Sequence, residues 1–146
     1  MNGTDGRMTD MAKILVVDDQ IAVAMMMVFI LTRAGCTAEA ALNADQALRR
    51  AQAEPFALIT VDIGMPGLDG FELLKCLREI PQLKETPVVF VSGQATLEDR
   101  QRAFSLGAAD FIEKPFDAKE FVSRIRSAIT RRASAACRDN AAPVES

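Results

Sequence analysis

Lys13-Ile14-Leu15-Val16-Val17-Asp18-Asp19 is a short, continuous apolar run that stops on two carboxylates. Its β-branched content and its lack of polar alternation predict a strand buried on both faces. Working outward, the same unit recurs. Ile21 to Ala34 reads as a helix, with Gly35 where a C′ glycine belongs. Cys36 to Ala41 is poor in β-branched residues and predicts a weak strand at a sheet edge. Asn43 followed by Gln46 predicts a capped helix through Ala53. Ala57 to Val61 is a third strand, and Gly64-Met65-Pro66-Gly67 is turn material. Asp69 with Glu72 forms a capping box for a helix to Glu79, and Leu68 can staple onto Leu73. Pro87 to Val91 is a fourth strand, Thr96 to Leu106 a helix ended by Gly107, and Asp110 to Ile112 a short fifth strand. Asp117 and Glu120 cap a last helix with Phe116 stapled to Phe121 and an apolar stripe of Phe121, Ile125 and Ile129. Five strand–helix units predict an α/β fold with a parallel sheet and helices on both faces, because parallel strands need crossover connections. One domain is expected over 12–131, with tails at 1–11 and 132–146.

Composition narrows the function. The chain has 146 residues, enough for one compact core, and an apolar fraction of 49% suits a globular protein. A net charge of −3 gives no bulk attraction to nucleic acid or anionic membrane. Arg124, Arg126, Arg131, Arg132 and Arg138 load the C-terminal end with positive charge, read as a solvated helix face and tail. Without histidine, Cys36, Cys76 and Cys137 cannot build a Cys/His zinc site, and they read as thiols in a reducing compartment. No signal core or membrane span is evident, so a cytoplasmic location is expected.

The polar residues just past the strands carry the chemistry. Asp18 and Asp19 follow strand 1, Asp62 strand 3, Ser92 strand 4 and Lys114 strand 5. In open parallel sheets this end is where ligands bind. Two unit charges about 4 Å apart repel by about 4 kcal/mol at an effective dielectric near 20. Three gathered carboxylates therefore need compensation. Lys114 supplies one positive charge, and a hard divalent cation with oxygen ligands, Mg²⁺ above all, supplies two. Asp62, the lone carboxylate on the central strand, suits a nucleophile toward phosphorus, with Asp18 and Asp19 as the metal pair. Lys114 and the Ser92 hydroxyl can stabilise charge on a transferring phosphoryl group. Each motif alone is common turn or cap chemistry; their conjunction in this order is not.

These segments resemble the receiver domain of bacterial response regulators: Ile14 to Asp19, Val61 to Gly70, Val91-Ser92-Gly93, and Leu106 to Phe116. The resemblance implies a flavodoxin-like, doubly wound (βα)5 sandwich with five parallel strands in the order 2-1-3-4-5. It implies that Asp62 takes phosphate from a sensor histidine kinase or a histidine phosphotransfer protein. Mg²⁺, or Mn²⁺ in its place, would be held by Asp19, Asp62 and the Gly64 backbone carbonyl, with Asp18 helping directly or through water. Ser92 would contact the phosphoryl oxygens and Lys114 would pair with them. Phe111 matches the aromatic switch position: Ser92 is drawn inward, Phe111 follows, and the helix 4–strand 5–helix 5 face that meets a downstream protein changes shape. A cis Lys114–Pro115 bond is also implied. Gly64 departs from the usual pattern, since a side chain commonly faces the phosphoryl group there. Phe111 lacks a tyrosine hydroxyl, and Gly93 is expected to leave room for an inward Phe111.

The first helix is unusually apolar, with Met25, Met26, Met27, Val28, Phe29, Ile30 and Leu31 in one run. It can serve as core packing or as a docking face for a kinase helix pair or a second copy, which leaves a monomer or weak homodimer. The leading expectation is a stand-alone receiver, catalysing at most its own phosphorylation and dephosphorylation, with no DNA-binding output. A receiver excised from a hybrid kinase is a variant of it. A haloacid-dehalogenase-like phosphatase would want an acid where Gly64 stands. A flavin-binding relative would suffer repulsion between Asp18, Asp19 and the cofactor phosphate.

Overall fold

The structure is a computed structural model that describes residues 12–64 and 70–141, with side chains as far as Arg131. Five strands form one parallel sheet: β1 Lys13–Val17, β2 Thr37–Ala41, β3 Leu58–Asp62, β4 Val88–Ser92 and β5 Asp110–Glu113. Their order is β2-β1-β3-β4-β5, as the resemblance implies. The helices are α1 Ile21–Arg33, α2 Ala44–Ala53, α3 Gly70–Arg78, α4 Leu97–Ser105 and α5 Ala118–Ala141, with a 3₁₀ turn at Pro81–Leu83.

Side chains alternate across each strand, so the sheet separates two apolar layers. Leu15, Val17, Ile59, Val61, Phe90 and Phe111 point to the layer under α2, α3 and α4. Ile14, Val16, Leu58, Val89, Val91 and Ile112 point to the layer under α1 and α5. β2 is indeed the edge strand, and only its last residue, Ala41, is buried. Sequence order reverses between β1 and β3. The carboxyl ends of those two strands therefore flank a crevice.

Caps set the helix limits. Gly35 and Gly107 adopt φ of 99° and 94°, closing α1 and α4 in a conformation that costs glycine little. Asn43 accepts from the Gln46 amide, but the Gln46 side chain accepts from Leu42 N instead of Asn43 N, a capping box slipped by one residue. Asp117 accepts from the amides of Lys119 and Glu120, and Phe116 stacks on Phe121 with centroids 4.7 Å apart. The last helix runs to Ala141, past the boundary at 131 expected from sequence. Alanine and arginine, both strong helix formers, fill that stretch. The arginine-rich face is also more than solvated charge: Arg124 pairs with Asp110, Arg126 donates to Ala34 O, and Arg131 donates to Ala109 O. The turn at Met65 to Gly67, the Asp69 cap, the Leu68 staple, residues 1–11 and Cys137 lie outside the described residues and side chains. Of the apolar first helix, Ala24, Met27 and Leu31 are buried, while Ile21, Met25, Met26 and Phe29 are exposed. No helix among the described residues is long and apolar enough to cross a membrane.

Candidate functional site

β1 delivers two carboxylates with different surroundings. Asp18 N donates to Ala41 O, which continues the β1–β2 pairing one step beyond the strand and buries the side chain. Its Oδ1 accepts from Gln20 N at 2.9 Å and its Oδ2 from Lys114 Nζ at 3.0 Å. Asp19 points to solvent. β3 delivers Asp62 as its last residue, with the side chain 13% exposed and Oδ1 accepting from Gly64 N at 3.2 Å. Asp18, Asp19 and Asp62 each place a carboxylate oxygen such that all three lie within 4.8 Å of one another.

Burial pushes the Asp62 carboxyl above its ordinary value. Lys114 and the Gly64 amide pull it back down, while Asp18 and Asp19 push it further up. Lys114 Nζ is 3.9 Å from Asp62 and closer, at 3.0 Å, to Asp18. The single ammonium thus leans toward the buried carboxylate and leaves Asp62 under-compensated. Three carboxylates against one cation leave two charges unbalanced, and the donors are all hard oxygens. That set fits Mg²⁺ or Mn²⁺.

Ser92 ends β4 and is buried, its hydroxyl accepting from Gln94 N at 3.3 Å. Lys114 N donates to Ser92 O, which ties the two residues across β4 and β5, and the Lys114–Pro115 bond is cis. Phe111, on β5, is fully buried. Its place is not owed to Gly93 as expected: a Cβ on Gly93 would meet Lys114 Cβ at 3.9 Å, and no Phe111 atom lies within 4 Å. A Cβ on Gly64 would meet nothing within 4 Å among the described residues.

Two features escaped the sequence reading. Gly70 N donates to Ile63 O, and a Cβ there would lie 2.9 Å from Ile63 Cα and 3.0 Å from Asp62 O. Glycine is therefore required where α3 starts against the strand that carries Asp62. Its signal was a glycine opening a helix directly after an acidic residue. The second is a pair of arginines on α4. The Arg100 guanidinium sits 5.2 Å from the Phe111 ring centroid, and that of Arg102 sits 4.3 Å from Phe71. Nothing in their spacing marks such contacts.

Comparison with known proteins bears on this arrangement. Residues 14–126 match the model of the response regulator receiver domain. The transcriptional regulatory protein ResD of Bacillus subtilis is 35% identical over 126 residues, covering 86% of this chain and 51% of ResD. The chain spans about half the length of the curated relatives it matches. Among solved structures, the Vibrio cholerae chemotaxis protein CheY4 is 33% identical with a TM-score of 0.78, over 81% of this chain and 98% of that one. NtrX from Brucella abortus is 33% identical with a TM-score of 0.83, over 89% of this chain and 29% of that one. With the family model covering most of the chain and the strand order agreeing, the chain belongs to the response regulator receiver domain family of two-component signalling.

Proposed function

We propose that this receiver accepts a phosphoryl group on Asp62 from a phosphohistidine of a sensor histidine kinase or histidine phosphotransfer protein. The observation that carries the reading is the under-compensated carboxylate cluster, three acidic side chains within 4.8 Å facing one ammonium. An Asp62 carboxylate oxygen attacks phosphorus, the bond from phosphorus to the imidazole nitrogen breaks, and the imidazole leaves with the electron pair. Asp18, Asp19, Asp62 and the Gly64 carbonyl would hold Mg²⁺ or Mn²⁺, which supplies positive charge for the phosphoryl oxygens. Lys114 pairs with one phosphoryl oxygen and the Ser92 hydroxyl donates to another.

Phe111 is fully buried. Phosphorylation holds it there through Ser92, and the α4–β5–α5 face is read by a downstream protein. The exposed apolar stripe of Ile21, Met25, Met26 and Phe29 on α1 starts just after Asp19 and offers the phosphodonor a docking face.

Acetyl phosphate with Mg²⁺ tests it. Mass spectrometry should find one added phosphoryl group that is hydroxylamine-sensitive, absent in Asp62→Asn and blocked by EDTA. A label that persists in Asp62→Asn would overturn the assignment.

A further inference from the structure

α4 is the helix with the least purchase on the core. Its one buried side chain is Ala103, while Leu97 and Phe104 are 68% and 47% exposed. By contrast α3 buries Phe71, Leu73, Leu74 and Leu77. Burial of one methyl group anchors a helix weakly. Something else must hold α4 down.

Three rings form a row beneath it. Phe71 on α3 meets Phe90 on β4 edge to face with centroids 5.2 Å apart, and Phe90 is 6.4 Å from Phe111 on β5. Each end of the row is covered by an arginine of α4: Arg102 over Phe71 at 4.3 Å and Arg100 over Phe111 at 5.2 Å. Arg100 is further anchored by Glu113, 3.6 Å away on the same strand as Phe111. A guanidinium over a ring face is attracted by the ring quadrupole and excludes water from that face.

We propose that Arg100 and Arg102 clamp α4 across this aromatic row, and that Arg100 is the latch holding Phe111 in its buried position. Phe111 cannot leave without displacing Arg100 from ring and carboxylate together. The ring and α4 then move as one unit, and the surface carrying Leu97 and Phe104 reports the position of Phe111. Arg100 is a positioning residue: it touches neither Asp62 nor the other carboxylates of the cluster. The link from this latch to phosphorylation rests on the function proposed above; the latch itself does not.

The full chain labelled with 4-fluorophenylalanine separates the two. The Phe111 resonance is assigned by its loss in Phe111→Leu. Arg100→Gln should shift or split it, as Phe111 samples a second position, whereas Arg102→Gln should act mainly on the Phe71 resonance. A Phe111 resonance unchanged in Arg100→Gln overturns the latch. In a second measurement, beryllofluoride with Mg²⁺ serves as the phosphoryl mimic. Arg100→Gln should bind it about two- to fivefold more weakly, the span of a partly exposed cation–π contact. Adding Arg100→Gln to Phe111→Leu should change nothing further. Equal binding by wild type and Arg100→Gln would overturn the coupling. A wild type that binds no beryllofluoride would instead sink the phosphoacceptor reading, leaving the fluorine spectrum to decide the latch. Should Arg100→Gln fail to fold, Arg100→Lys, which keeps the charge and loses the planar fork, gives smaller shifts of the same sign.

Discussion

β1 carries a charge cluster at each end, and the two differ in one respect. At its start Lys13 meets Glu39 of β2 and Glu54, the residue just past α2, and Glu39 is also paired with Arg50. Two cations face two carboxylates there, and Lys13 additionally sits 5.5 Å from the Phe56 ring. At its far end Asp18, Asp19 and Asp62 face, among the described residues, the single cation of Lys114. The first cluster satisfies itself and fastens the edge strand to the helix above. The second is left with a deficit of positive charge, which a divalent cation would fill. The lesson is that internal charge balance, not the presence of charge, separates a structural cluster from a binding one.

The largest expected effect tests that contrast directly. Asp18→Asn with Asp19→Asn should weaken Mg²⁺ binding by about a hundredfold or more, read from the Mg²⁺ dependence of acetyl phosphate labelling. Glu39→Gln with Glu54→Gln should leave it unchanged, and a comparable loss there would erase the distinction. Next in size, Gly70→Ala should cost about 2 kcal/mol, or roughly 8 °C in Tm, because the new Cβ meets backbone atoms on the Asp62 strand. Gly64→Ala, whose Cβ would meet nothing within 4 Å among the described residues, should leave Tm close to wild type.

A smaller effect of opposite sign follows from Asp62. Its carboxyl is held above the ordinary 3.8, so the folded chain keeps this proton more tightly than the unfolded chain. The cost is absent below pH 3.8 and grows as pH rises through the elevated value. Metal-free Asp62→Asn should therefore be more stable than wild type at neutral pH, read as a higher Tm. That advantage should vanish in acid and shrink with Mg²⁺. Thermal melts across pH, with and without EDTA, decide this. The smallest effect belongs to the balanced end. Lys13→Met should lower Tm slightly and with no dependence on Mg²⁺. The Lys13 ammonium is held above 10.5 by Glu54 first and Glu39 next, so its contribution should persist through neutrality and fade only above that pH.

Much of this was readable before any coordinates. Strand positions followed from apolar runs, and the site followed because Asp18, Asp62, Ser92 and Lys114 each sit where a run ends. Strand order did not follow from the runs; it came with the family resemblance. The contacts that eluded sequence are lateral. Lys13 and Glu39 lie on different strands and Glu54 just past a helix, and Arg102 is 31 residues from the Phe71 ring it covers. The choice of Lys114 for Asp18 over Asp62 is a matter of about an ångström, which spacing cannot resolve. Gly93 illustrates the converse, a local pattern given a role that the packing assigns elsewhere.

The ion pairs on the outermost strands have one further consequence. β2 and β5 are the edge strands, each with one side that no further strand of this sheet covers, an invitation for another chain to extend the sheet. Glu39 stands on one border, and Asp110 and Glu113 stand on the other, each fixed by a lysine or arginine. Such charges must be stripped of their partners and dehydrated before a sixth strand can dock, so these borders guard against aggregation.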